Sequence, residues 1–295
     1  VQTVGELKAM SARSPEDPIL LLRQAAIADR DGNWDQAATY YSNALKINPN
    51  LVTATIKLSQ LLATKLHNPP KALELARRAR ELSPDDPVIT HTLGRLAYDA
   101  GDFSWAASLL QESLRRLPKD AAVQFDFGLA AYSLGQVTNA TAAVQAALDG
   151  GLPPPQSERA KTFVRMQSLL SNPGQADAAA AQIQELLKQQ PDYVPAWMVF
   201  AAIQDRKGDF AAARDSYTRV LKAMPEFAPA DRQLALLYYT RLQLPTEAYA
   251  HALKAREAFP QDREIARLLG ILSYQRGEFS RAGQLLQEAS ASFPN

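Results

Sequence analysis

The stretch PVITHTLGRLAYDAGDFSWAASLLQESLRRLP, residues 87–118, decides the fold of this chain. Apolar residues recur at helical spacing on both sides of Gly101, which predicts two helices. Gly101 accepts the positive φ of a helix end, and Asp102 is a favourable residue for beginning the next helix. Pro118 closes the stretch, because a proline is tolerated just past a helix end but not inside a helix. The stretch therefore predicts a helix–turn–helix unit.

The same pattern recurs along the whole chain. Closing prolines follow one another at intervals of 34 or 35 residues, apart from one interval of 38, at Pro15, Pro49, Pro84, Pro118, Pro153, Pro191, Pro225, Pro260 and Pro294. The turn recurs as GNWDQA (32–37), GQVTNA (135–140), GDFAAA (208–213) and GEFSRA (277–282). Its last alanine, as in Ala106 and Ala213, predicts a position where two helices approach closely. Four of these turns carry an aromatic residue, and we expect its ring to fill the gap between the two helices of the repeat. These residues are Trp34, Phe103, Phe210 and Phe279.

A helix–turn–helix unit of 34 residues resembles the tetratricopeptide repeat. Leu93-Gly94, Gly101, Ala106 and Pro118 stand where that family has its signature residues, and the last unit repeats them as Leu269-Gly270, Gly277, Ala282 and Pro294. The resemblance covers nearly the whole chain. It implies an all-α fold, namely a right-handed α–α superhelical solenoid of about eight repeats plus an N-terminal half repeat.

The repeat phase predicts the organisation of the chain. We expect a half repeat over 1–17 with its second helix only, repeats one to four over 18–152, and repeats five to eight over 153–295, in one continuous solenoid. The first helices are predicted to begin near Pro18, Val52, Pro87, Ala121, Ala160, Val194, Ala228 and Arg263. The insertion DGGLPPPQSERA (149–160) predicts a bend, because consecutive prolines cannot continue a helix. Both ends fall within the array, so we expect a piece of a longer bacterial protein.

The amino-acid composition argues against two classes of binding partner. A net charge of +1 with 21% charged residues lacks the basic excess of a nucleic-acid-binding protein. No apolar run approaches the roughly 20 residues of a membrane span. We therefore expect neither nucleic-acid binding nor membrane insertion by this segment. The absence of cysteine excludes disulfides and leaves the compartment open between the bacterial cytoplasm and the periplasm. The oligomeric state is also left open.

Catalytic and metal-binding motifs are not found in the sequence. It has no phosphate loop, dinucleotide fingerprint, nucleophile elbow or zinc-type histidine pair. His67, His91 and His251 lie in three different repeats, so solvated or groove-lining positions are expected for them. DRDGNW (29–34) begins like a calcium loop, but Ala38 stands where the loop needs its bidentate glutamate. We expect no catalytic residue, no metal and no cofactor.

The resemblance implies a binding groove, because in that family the first helix of each repeat lines the concave face of the array. The corresponding positions here are the groove candidates Arg23, Arg30, Lys57, Gln60, His91, Arg95, Tyr98, Phe125, Asp126, Tyr132, Arg206, Arg232, Tyr239, Arg267 and Tyr274. Arginine pairs with carboxylates, and tyrosine buries area at a low entropy cost. We expect an acidic, extended peptide with an apolar anchor, bound mainly by repeats one to four.

Two functions are compatible with these features. The first is a non-enzymatic protein–protein interaction scaffold that binds an extended peptide or partner protein in its groove. The alternative is the substrate-recognition region of a larger enzyme, for example a glycosyltransferase or a signalling enzyme. The subclass that clamps the carboxylate of chaperone tails is not indicated, because Leu22 and Ala26 occupy its Lys and Asn positions.

Overall fold

The computed structural model describes residues 17–290. Seventeen α-helices and one short π-helical turn make up their regular structure, and no strand occurs in this part of the chain. The all-α helical-repeat fold predicted from the sequence is therefore confirmed. The half repeat predicted over 1–17 lies outside the described residues, apart from Asp17, whose carboxylate accepts hydrogen bonds from the first turn of the first helix.

The helices follow one another as eight consecutive pairs. The first four pairs are α1 (Pro18–Arg30), α2 (Trp34–Ile47), α3 (Val52–Thr64), α4 (Pro69–Leu82), α5 (Pro87–Asp99), α6 (Phe103–Arg116), α7 (Ala121–Ser133) and α8 (Val137–Asp149). In the fifth pair the second helix is divided, giving α9 (Gln156–Ser171), α10 (Pro173–Ala178) and α11 (Ala180–Gln189). The last three pairs are α12 (Val194–Arg206), α13 (Phe210–Ala223), α14 (Ala228–Leu237) with the π turn Tyr238–Leu242, α15 (Pro245–Ala258), α16 (Arg263–Gln275) and α17 (Phe279–Ser290).

The beginnings of the first helices follow the predicted phase except in the fifth repeat. There the helix begins at Gln156, directly after the proline run, and not near Ala160 as predicted. Prolines fix φ at a helical value and lack a donor, so a helix can begin immediately after them. The inserted residues consequently lengthen α9 to 16 residues, against 13 in α5.

The turns within the repeats use a left-handed residue where the sequence provides glycine. Gly32, Gly101, Gly135, Gly208 and Gly277 have φ between 75° and 83°. Three repeats lack that glycine. In the second and the seventh, His67 (φ 50°) and Gln243 (φ 55°) take the left-handed conformation, whereas in the fifth only Asn172, with φ −126°, separates the two helices. The left-handed conformation costs a residue with a Cβ more than it costs glycine. The helix–turn–helix geometry is thus retained even where the sequence signature is lost.

The chain divides into two compact units. The first unit comprises Val1–Ala131 and Ala146–Leu152, and the second comprises Tyr132–Gln145 and Pro153–Asn295. A core cluster in the first unit includes Leu58, Leu93 and Leu110, and in the second unit Val199 and Leu269 belong to two separate clusters. The domain boundaries proposed from the repeat phase, at 17/18 and 152/153, remain a prediction.

Small residues form the contacts between the two helices of a repeat. Ala106 and Ala213 are fully buried, as predicted. A Cβ added to Gly94 of α5 would lie 2.8 Å from Leu110 Cγ of α6, so these helices approach closely.

The rings of the turn phrase do not fill the gap between the helices, contrary to expectation. Trp34 is 39% exposed and Phe279 is 65% exposed. Each is the first residue of the second helix of its repeat. Lys65 Nζ, from the following repeat, lies 4.8 Å from the centroid of the Trp34 ring. Phe103 packs on Tyr98 at 5.3 Å between centroids, and Phe210 lies under Arg241.

Candidate functional site

Five of the predicted groove residues line one pocket in the first unit. Lys57 and Gln60 come from α3, His91 and Arg95 from α5, and Asp126 from α7. The pocket has a volume of about 450 Å³. We call it the first-unit pocket. Its other polar lining residues include Asp29, Thr64, Lys65, Thr92 and Asp99. The sequence analysis did not select Asp29, although its place in α1 is the one that the candidate Tyr98 has in α5.

A buried carboxylate orients two of these side chains. The Asp126 side chain is only 6% exposed, and it contacts His91 Nε2 at 2.8 Å and Arg95 Nη1 at 3.3 Å. Arg95 Nε also lies 3.6 Å from Asp99 Oδ2. Partial burial lowers the pKa of Arg95, but the charges of Asp126 and Asp99 outweigh it and raise that pKa above its ordinary value. A buried carboxylate needs such partners, so α5 and α7 are held in register here.

Lys57 differs from Arg95 in having its charge available. It is exposed, and it has no hydrogen-bond or ion-pair partner among residues 17–290. Gln60, one turn further along α3, donates from Nε2 to Thr92 Oγ1 at 3.0 Å and so joins two successive first helices. The first-unit pocket therefore combines an exposed cation, Lys57, that no carboxylate among residues 17–290 neutralises, with polar groups that are already fixed in position.

The structure places the other first-unit candidates outside this pocket. Arg23 and Arg30 are exposed on α1, and Arg30 pairs with Asp31 at 3.2 Å. Tyr98 packs against the core cluster of the first unit. Phe125 is 2% exposed, so its ring is not available to a ligand, although it was predicted to line the groove. α7 carries apolar residues all round, in the sequence AAVQFDFGLAAYS, and a helix of that kind is buried on more than one side.

A second pocket lies within the second unit and has a volume of about 600 Å³. We call it the second-unit pocket. Its walls come from α9, α12, α14 and the turn that joins α7 to α8, and the candidates Tyr132, Arg206 and Arg232 are among its lining residues. Tyr132 is 4% exposed, and its ring packs against Phe163 and Phe227, each at 5.0 Å between centroids. The ring of Tyr132, a predicted groove residue, is therefore largely covered by its neighbours, although it is among the lining residues of this pocket.

The α7–α8 turn reaches the start of the seventh repeat. A Cβ on Gly135 of that turn would lie 2.9 Å from Pro229 Cδ of α14. This contact could not be predicted from the repeat pattern, because repeats are expected to touch only their neighbours. The residues that line the second-unit pocket through this turn, from Gln136 to Asn139, were consequently not predicted.

The arginines of the second-unit pocket are neutralised by acidic residues of an adjacent repeat. Arg206 Nη2 lies 3.0 Å from Asp177 Oδ1. Arg232 contacts Asp262 Oδ2 at 2.6 Å through Nε and Glu264 Oε2 at 2.7 Å through Nη2. Their predicted role was to bind a ligand, but each forms an ion pair between helices about one repeat apart.

The last three candidates line neither pocket. Tyr239 is partly buried against the core cluster that contains Leu269. Arg267 is exposed on α16. Tyr274 is 63% exposed, and its ring meets Phe279 at 5.4 Å between centroids.

Two of the three histidines are paired and are not simply solvated. His91 contacts Asp126, and His251 Nδ1 lies 2.7 Å from Oδ1 of Asp231, which is 1% exposed. In the stretch from 17 to 290, no three His, Asp or Glu side chains are grouped so that they could hold a metal ion. No helix in the same stretch is long and apolar enough to cross a membrane.

The paired helices, with pockets along their first helices, define a helical-repeat protein. The tetratricopeptide repeat family matches residues 22–87, 91–155, 170–231, 199–263 and 233–295. The chain therefore belongs to the tetratricopeptide repeat family, whose fold is an α–α solenoid and whose members generally act as interaction scaffolds.

The sequence identity between this chain and individual known proteins is low. A TPR repeat-containing protein of Pseudomonas aeruginosa is 29% identical over 104 residues, which are 35% of this chain and 18% of that protein. The Cut9–Hcn1 hetero-tetramer of the APC/C is 17% identical, with 90% of this chain and 44% of that chain covered and a TM-score of 0.45. YrrB, described as a TPR protein with an unusual peptide-binding site, is 14% identical, with 77% and 96% covered and a TM-score of 0.44. The chain thus spans less than half the length of the first two of these proteins.

Proposed function

We propose that this chain is a non-enzymatic scaffold that binds an extended acidic peptide, or an extended segment of a partner protein, at the first-unit pocket. The observation that carries the proposal is the combination of an unpaired, exposed Lys57 with Arg95 and His91 held in place by buried Asp126. A carboxylate of the peptide would pair with Lys57. Preorganised polar groups on the neighbouring helix lower the entropy cost of fixing the peptide.

An apolar anchor of the peptide has a place beside these charges. Val88, at the start of α5, is 52% exposed and lines the first-unit pocket together with Leu61 and Leu96. The rings expected to supply this anchor surface, Phe125 and Tyr132, are buried. The peptide is therefore expected to use an aliphatic side chain against Val88 and an acidic side chain against Lys57.

The alternative from the sequence, a substrate-recognition region of a larger enzyme, uses the same surface. In that case the extended segment would belong to the enzyme's protein substrate, and the catalytic residues would lie elsewhere. The binding experiment below applies to both roles, and the domains of the full-length protein separate them.

The test uses peptides selected from a phage-displayed random library on the purified chain. Their affinities are measured by fluorescence anisotropy for the wild type, for Lys57→Glu and for Lys71→Glu. Lys71 is an exposed lysine on the second helix α4, so it provides a matched charge reversal away from the pocket. We expect acidic peptides whose affinity falls about tenfold or more in Lys57→Glu, because an attraction becomes a repulsion, and is unchanged in Lys71→Glu.

Lys57 has no partner among residues 17–290, so we expect its reversal to leave the fold intact, and a thermal melt checks this. Raising the salt concentration should weaken the wild-type interaction through slower association. Peptides that bind Lys57→Glu as tightly as the wild type would overturn the assignment of the first-unit pocket.

A further inference from the structure

The second-unit pocket has the size and the walls of a ligand site. Its volume of about 600 Å³ lies within the range of small-molecule and peptide pockets. Three successive first helices contribute apolar side chains to its walls, including Leu170 and Met198, and Phe227 comes from the loop before α14. Met198 and Phe227 are themselves 5% and 1% exposed, so these walls are packed into the fold and not mobile surface groups.

The charges of the pocket favour a neutral ligand. Arg206 and Arg232 are each neutralised by carboxylates, Arg206 by Asp177 and Arg232 by Asp262 and Glu264. An anion would have to compete with those pairs. Asp205 lies at the same wall, and its Oδ1 is 3.9 Å from Arg241 Nε, so a cation would in turn be repelled by a guanidinium close by. This differs from the first-unit pocket, where Lys57 has no partner.

Two buried polar atoms at the wall lack hydrogen-bond partners. Gln167 is 7% exposed, and its Nε2 has no hydrogen-bond partner among residues 17–290. Asp205 Oδ1 also has no hydrogen-bond partner. Buried polar groups are normally satisfied, so an unpaired donor and an unpaired acceptor at one pocket wall call for a group that can both accept and donate. A peptide amide does both, through its C=O and its N–H.

We propose that the second-unit pocket binds a neutral peptide segment with an aromatic side chain, whose ring packs against Leu170 and Met198 while a main-chain amide accepts from Gln167 and donates to Asp205. Thioether sulfur forms favourable contacts with an aromatic guest. Both hydrogen bonds require the Gln167 and Asp205 side chains to turn towards the bound amide. This site goes beyond the proposed acidic-peptide site in location and in ligand charge.

The test uses three small probes in protein-observed NMR titrations: N-acetyl-phenylalaninamide, methyl 3-phenylpropanoate and N-acetyl-glycinamide. The first carries both the ring and the terminal amide N–H, and it should bind with an affinity on the order of millimolar. The ester lacks that N–H donor and should bind about fivefold more weakly, and the glycine probe lacks the ring and should bind at least tenfold more weakly.

Two protein variants locate the binding. Ala202 lines the pocket from α12, and Ala202→Phe fills it, whereas Ala211 is exposed on α13 and Ala211→Phe serves as the matched control. Ala202→Phe should abolish binding of N-acetyl-phenylalaninamide, and Ala211→Phe should leave it unchanged. If Ala202→Phe were instead to unfold the chain, a milder Ala202→Leu variant, checked by its melt, should still weaken binding several-fold.

Three outcomes would each overturn the proposal: no binding of the phenylalanine probe to the wild type, equal binding by Ala202→Phe, or equal affinity of all three probes. The two sites are distinguishable. Lys57→Glu should leave the phenylalanine probe unaffected, and Ala202→Phe should leave the library-selected acidic peptides unaffected. Failure of one site therefore does not imply failure of the other.

Discussion

Gly94 shows that a hydrogen atom in place of a methyl group at one position affects how two helices pack in this array. It lies in α5 opposite Leu110 of α6, and Leu110 is fully buried. A Cβ at position 94 would lie 2.8 Å from Leu110 Cγ and 3.2 Å from Leu109 Cβ. Because neither leucine is free to move away, the two helices would have to separate. The close approach of α5 and α6 therefore depends on glycine at position 94.

We expect Gly94→Ala to lower the free energy of unfolding by about 1–3 kcal/mol through overpacking. The control is Gly283→Ala in α17, where an added Cβ meets nothing within 4 Å. That change should raise the free energy of unfolding by roughly 0.4–1 kcal/mol, since alanine restricts the unfolded chain. Chemical denaturation measures both. Two variants shifted in the same direction would contradict the packing assigned to Gly94.

At the scale of the element, Asp262 connects the beginning of one helix to the preceding repeat. Its Oδ1 accepts from the backbone N–H groups of Glu264 and Ile265, at 3.0 and 3.1 Å, and caps α16. Its Oδ2 accepts from Arg232 Nε of α14. Partial burial acts to raise the pKa of Asp262, but the hydrogen bonds from Arg232 and the two N–H groups outweigh it, so the pKa lies below its ordinary value.

A folded-state pKa below the unfolded value means that the ionised Asp262 stabilises the fold above about pH 4 and loses this effect on acidification. Asp262→Asn keeps the cap but removes the charge, so it should cost about 1–2 kcal/mol at pH 7. The difference from the wild type should shrink as the pH falls from about 4 towards the lower folded pKa. Glu264→Gln, at a carboxylate 59% exposed, should cost roughly 0.5 kcal/mol or less. Urea titrations at several pH values measure both, and a difference for Asp262→Asn that persists at pH 2 would be contrary to this assignment.

The sequence predicted the helices better than the binding surfaces, for a physical reason. Helix ends depend on local chemistry, so Pro118 and Gly101 were sufficient to place α5 and α6. The state of a groove residue depends on its spatial neighbours. Arg232 is neutralised by Asp262 of the next repeat, and Phe125 is buried by the packing of α7. Acidic residues roughly 30 positions from each arginine are visible in the sequence, but only coordinates show which pairs meet.

At the largest scale, the α7–α8 turn joins parts of the second unit that are three repeats apart. Gly135 combines a φ of 75° with close contact to Pro229, so alanine at this position would be strained and would also press on α14. We expect Gly135→Ala to speed hydrogen exchange both in its own turn and around residues 227–232, by roughly tenfold.

Gly208→Ala is the matched comparison for this exchange experiment. Gly208 has a φ of 82°, but an added Cβ would have open space around it, so only the strain of the left-handed backbone remains. Its effect should therefore stay within its own repeat. Hydrogen exchange read by mass spectrometry distinguishes the two variants, and a Gly135→Ala profile confined to the α7–α8 turn would contradict the long-range contact.

The contact between the α7–α8 turn and Pro229 also bears on how the second unit folds. An array whose repeats touch only their neighbours can form from any point and can lose its end repeats one at a time. A contact between residues so distant in sequence must first close a long loop, which raises contact order and slows folding. The repeats enclosed by that loop also cannot separate without breaking the contact between the α7–α8 turn and Pro229. We expect them to refold more slowly than an ordinary helical array and to unfold together in a single cooperative transition.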